Sequence, residues 1–150
     1  ALRRVVVHAL AEAMGVPLQT PKLDMVSSGP NAQLLTMLAD ALAQVEVGSD
    51  FQKTKLRAVS KLVEYLGRGD AMELHLRELE QQEVQVLLDR TFNDYSEIDT
   101  ALEAFVNSAG PEYDEPLLRL FMAQIERRVL VYGSTAIGAS ARHIDLPPVA

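Results

Sequence analysis

The chain has 150 residues, 48% of them hydrophobic and 23% charged, with a net charge of −7 and no cysteine. That length fits one domain able to bury roughly 70% of its unfolded surface, and the lack of cysteine excludes disulfides, thiolate metal sites and cysteine nucleophiles. The negative charge disfavours non-specific attraction to nucleic acid or anionic lipid, and no apolar run approaches the ~20 residues that a membrane-spanning helix needs.

Leu2, Val6, Leu10 and Ala13 recur at helical spacing, with Val5, Ala9 and Met14 alongside, and predict a first helix. Gly15 stops it, with Pro17 just beyond. A strand competes only at Val5-Val6-Val7, and the following Ala-Leu-Ala-Glu-Ala-Met favours helix. Arg3 and Arg4 stand before an apolar stretch, but His8 and Glu12 interrupt it and no clear cleavage site follows. No signal peptide is therefore expected, and Ala1 suggests a processed or trimmed start. Val16 to Pro30 is a connection with three prolines, long for a helical domain. It reads as a surface loop packed through Leu18, Leu23, Met25 and Val26, or as a tether that lets the first helix dock on a neighbouring subunit.

The second helix opens near Ser28 or Asn31 and runs to about Val47 on a stripe of Leu34, Leu38, Ala41, Leu42 and Val45, with Gly48 ending it. Ser49-Asp50-Phe51-Gln52 matches a capping box. The third helix, Asp50 to Leu66, is expected to bury Leu56, Val59, Leu62, Val63 and Leu66, and Gly67-Arg68-Gly69 to stop it. Asp70-Ala71-Met72-Glu73 then opens a fourth helix, antiparallel to the third, with Leu76, Leu79, Val86 and Leu87 on one side. Asp94 starts a fifth, with Ile98, Leu102, Phe105 and Val106 inward, closed by Gly110-Pro111. The sixth, from Asp114-Glu115-Pro116, carries the strongest apolar face: Leu117, Leu118, Phe121, Ile125, Val129 and Tyr132. The sequence thus predicts an all-α fold: an irregular bundle of about six helices in a single domain over 1–132, with the long last helix (about 114–132) central. An extended 16–30 loop and a small-residue, Pro-Pro tail over 133–150 complete it.

Charge is segregated along the chain. Lys53 to Arg68 holds five basic residues and one acidic, whereas Gly69 to Glu115 holds two basic and 13 acidic. Lys53, Arg57 and Lys61 recur at i, i+4, i+8 and form one helical stripe. They either face solvent or pair with the acidic helix through residues such as Glu73, Glu80 and Glu83, or they meet an acidic partner. Aromatic interleaving is sparse, with Phe51 and Tyr65 alone, which argues against nucleic acid.

No chemical motif emerges. The residues three before His8, His75 and His143 are Val5, Met72 and Ser140, so Glu-x-x-His is absent, as is His-Glu-x-x-His. No G-x-S-x-G is present, and Gly133 to Ser140 has Ala139 where a phosphate-binding loop requires lysine. The expectation is a non-catalytic helical adaptor or assembly subunit, cytoplasmic or within an intracellular complex, without cofactor or metal. It would bind protein, copies of itself or a larger assembly, through Lys53, Arg57, Lys61, Arg68, Arg142 and Leu146. Complementary basic and acidic faces could join head to tail. The alternatives are a ligand-sensing domain with a pocket near Met37, Phe105, Phe121 and Met122, and an enzyme using carboxylates of the acidic middle.

Overall fold

The computed structural model describes residues 2–17 and 19–133. Among these residues the fold is all-α, with no strand. The helices are α1 (Leu2–Ala13), α2 (Ala32–Ala43), α3 (Asp50–Leu88), α4 (Tyr95–Ser108) and α5 (Asp114–Tyr132), with a 3-10 turn at Pro111–Tyr113. The expected tail over 133–150 lies, beyond Gly133, outside the described residues.

Five α-helices replace the six expected because Gly67-Arg68-Gly69 does not break the chain: α3 runs unbroken for 39 residues. Neither glycine has a positive φ. Both instead serve close packing. A β-carbon on Gly69 would stand 3.3 Å from the Tyr132 hydroxyl, and one on Gly67 would stand 4.0 Å from Leu35 Cδ1. The expected antiparallel pairing of helices three and four is thereby corrected, since both are one rod. Asp70, expected to open a helix, lies inside α3. Its carboxylate accepts from the Asn31 amide (2.8 Å) and the Asn31 side chain (2.7 Å), so it caps the start of α2.

The second helix stops at Ala43, short of the expected end near Val47 and Gly48, but three other ends form where the sequence places them. The amide of Val16 bonds to the carbonyl of Ala11 (2.8 Å) around Gly15 at φ 67°, a Schellman closure in which Val16 and Ala11 are both buried. The Gln52 amide donates to Ser49 Oγ while Gln52 Oε1 accepts from the Ser49 amide, which completes the capping box. Asp94 caps α4 by accepting from the Ser96 amide, and that bond holds its carboxyl below the usual range.

The chain divides into two compact units, 1–24 with 74–130 and 25–73 with 131–150. In the first, Ala11, Val16, Leu118 and Met122 form one cluster with Val7 against it. Val84, Phe92, Ile98 and Leu120 form another. The inward face of α1 differs from the expected one. Val5, Val6, Leu10 and Met14 are exposed, and Val7 and Ala11 turn inward. The cause is polar. Arg4 and His8 share that inner face and both bind Glu126 of α5, at 2.7 and 3.0 Å from the guanidinium and 2.7 Å from the ring. Arg127, almost fully buried, pairs with Glu83 of α3.

In the second unit, α2 and the first part of α3 make an antiparallel hairpin: Asn31 meets Asp70 and Leu35 approaches Gly67. Val63, Met72 and Val131 are its buried apolar residues among those described. The Tyr132 ring lies 4.7 Å from that of Tyr65, and its hydroxyl donates to Glu73.

Candidate functional site

Two surfaces carry chemistry, one in each unit. In the second unit α2 is apolar except for one strip of Gln33, Thr36 and Asp40, yet none of its twelve residues is buried. Half-buried Leu35 and Leu42 turn to α3. Leu34, Met37, Leu38 and Ala41, spaced i, i+3, i+4, i+7, form a second stripe open to solvent, with Leu34 66% and Met37 61% exposed, and exposed Val45 follows just past the helix end. At ~100° per residue, Val59 and Leu66 of α3 fall on the same side of the antiparallel hairpin and extend this apolar face. Both are exposed.

The basic stripe lies on the opposite flank of the same hairpin. Lys53, Arg57 and Lys61 are all exposed. Lys53 pairs with Asp50 one turn back at 3.1 Å, and Lys55 sits 4.7 Å over the Phe51 ring. Arg68 is exposed too, and its guanidinium donates to the Val131 carbonyl (3.4 Å) at the end of α5. Arg142 and Leu146 lie outside the described residues. The acids weighed as partners for the stripe are engaged elsewhere: Glu73 by Tyr132, Glu80 by Arg128 and Tyr95, and Glu83 by Arg127.

In the first unit α1, α3, α4 and α5 enclose an open cleft of about 700 Å³. Val6, Val7, Leu102, Phe121 and Ile125 make its apolar lining, and Arg3, Glu80, Tyr95, Asp99, Gln124 and Arg128 its polar one. Glu80 anchors the polar wall. Its carboxylate takes both Nε and Nη2 of Arg128 at 3.0 Å and the Tyr95 hydroxyl at 2.9 Å. Burial, then the bond to Glu80, pushes the Tyr95 phenol up to about 12. Arg77 lies 5.4 Å over the Tyr95 ring.

The four residues expected to line a pocket are not gathered. Phe121 lines the cleft, Met122 is buried in the Ala11 cluster, and Phe105 rests edge-on against Tyr113 at 4.9 Å. Met37 belongs to the other unit. The cleft itself left no sequence signal, because α1 contributes Arg3, Val6 and Val7 only once Glu126 has fixed its rotation. Among the described residues no group of three or more His, Asp or Glu gathers as metal ligands, and no helix is long and apolar enough to cross a membrane. Compared with known proteins, the chain matches no family model, no curated protein and no solved structure.

Proposed function

We propose that this protein is a non-catalytic assembly subunit that associates with a second copy of itself through the open face of the α2–α3 hairpin. The observation that supports this is α2: outside the polar strip of Gln33, Thr36 and Asp40 the helix is apolar, and beyond the side turned to α3 its outer apolar stripe has no cover within the chain among the described residues. Charge favours a second copy as the occupant. Leu34, Met37, Leu38, Ala41, Val45, Val59 and Leu66 include no charged residue, so two such faces meet about a two-fold axis without like-charge repulsion. The basic stripe, on the other flank, then stays outside the contact and is free to meet an acidic surface of a larger complex.

Area sets the strength. An apolar patch of this kind is on the order of 500 Å², below the ~800 Å² per partner of a standard stable interface. The expected dimer therefore forms in the micromolar range. Sedimentation equilibrium across that range tests it, with the double variant Leu34→Glu/Leu38→Glu as control. Both positions are solvent-exposed, so the variant should keep its helical circular dichroism and sediment as a monomer. A wild-type monomer at every concentration, or a variant that still dimerises, overturns the reading.

A further inference from the structure

We propose that the cleft between α1, α3, α4 and α5 is a binding site for an uncharged, mainly apolar small molecule carrying one hydroxyl or carbonyl group. Its volume, about 700 Å³, lies within the ~300–1,000 Å³ of small-molecule sites. Three features select the ligand class. The first is the lining of Val6, Val7, Leu102, Phe121 and Ile125, which rewards an aromatic or alicyclic body.

The second is charge. The lining holds two arginines and two carboxylates, Arg3 and Arg128 against Glu80 and Asp99, so it carries no net charge. Buried Glu80 is already matched: both of its oxygens are taken by half-exposed Arg128, and one of them by Tyr95 as well. An ion entering beside this pair would give up its hydration and compete for a counter-ion already held. A neutral molecule avoids that cost.

The third is the hydrogen-bonding capacity left over. The Gln124 side-chain amide lines the cleft and offers both a donor and an acceptor. The Tyr95 phenol, held protonated well above neutral pH, donates to Glu80 and keeps a lone pair that can accept. A hydroxyl or carbonyl on the ligand matches this pair, and an all-hydrocarbon ligand would leave it unsatisfied.

Three probes of one shape and different charge test the site on the full chain: 2-naphthol, 2-naphthoate and 2-naphthylmethylammonium. Binding is followed by amide chemical shifts and calorimetry. The expected result is saturable binding of 2-naphthol, at least tenfold tighter than either ion, with shifts concentrated in α1, α4 and α5. Leu102→Trp, which fills the cleft, should abolish it, whereas Leu34→Glu in the other unit should leave it unchanged. If Leu102→Trp fails to fold, Gln124→Leu replaces it and should weaken 2-naphthol several-fold at unchanged helicity. An ion binding as well as or better than 2-naphthol overturns the proposal. So does the absence of saturation by any probe, or full binding by a folded Leu102→Trp or Gln124→Leu.

Discussion

Asp89 sits at φ 48°, the one non-glycine residue in the left-handed region among those described. It closes α3 in the same way that Gly15 closes α1: the Arg90 amide reaches back to the Gln85 carbonyl at 3.1 Å. Aspartate tolerates this conformation better than most residues, but its β-carbon still crowds the backbone. Asp89→Gly should therefore raise the free energy of unfolding by about 0.5–1 kcal/mol in urea titration. Glu126 ties α1 down with a different sensitivity. Arg4 first, and then His8, hold its carboxyl below the ordinary 4.5, against the opposing effect of burial. A carboxyl lowered by folding stabilises the fold above its unfolded value, and that stability is lost as pH falls through the lower folded value. Thermal melts taken downward from pH 4.5 should show this loss, and Glu126→Gln should flatten that part of the profile. An unchanged slope in the variant would mean that the clasp carries no stability. Residues such as Gly15, Ser49, Gln52 and Asp94 announce their roles in the sequence because each acts on its own helix end, within a turn. Glu126 does not, since its partners stand more than a hundred positions away.

At the scale of elements, α3 separates two uses of glycine that look alike in sequence. Inside a helix, Gly→Ala gains ~1 kcal/mol where space allows. At Gly67 the new β-carbon would meet only Leu35 Cδ1, at ordinary contact distance, so Gly67→Ala should stabilise by about 0.5–1 kcal/mol. At Gly69 it would press within 3.3 Å of the Tyr132 hydroxyl and 3.5 Å of its ring. That ring is held by Tyr65 and its hydroxyl by Glu73, so it cannot move freely. Gly69→Ala should lose most or all of the gain, and the difference between the two variants in paired denaturation curves measures the cost of moving Tyr132. Equal effects would show that the Tyr132 contact yields freely. The amphipathic stripes invite a similar confusion. Leu34 and Leu38 on α2, Leu10 and Met14 at the end of α1, and Val86 on α3 (83% exposed) repeat at helical spacing and still point to solvent. Periodicity identifies a helix with an apolar side; it does not say whether that side or its neighbour meets the rest of the chain.

For the whole molecule, the two proposed surfaces respond differently to salt. Association through the apolar face of α2 should persist or strengthen slightly as ionic strength rises, since burial of apolar surface is insensitive to screening. Capture of an acidic partner by Lys53, Arg57 and Lys61 should weaken, because exposed charges are screened within ~8–10 Å at physiological salt. Sedimentation at low and high salt separates the two contributions. A dimer that dissolves on adding salt would move the interface from the α2 face to the basic stripe.

Local chemistry settled much of this protein before any folding was considered. The helical class, the stop at Gly15, the capped starts at Ser49 and Asp94 and the single helical stripe of Lys53, Arg57 and Lys61 all follow from spacings and interactions along one helix, which a linear pattern records. Tertiary contact decided the rest: that α3 passes unbroken through Gly67 and Gly69, that α1 turns Val7 and Ala11 inward, and that Arg3, Tyr95, Gln124 and Arg128 line one cleft. Burial and pairing join segments far apart along the chain, and the identity of a residue states what it can bond with but not which distant group folding will bring to it.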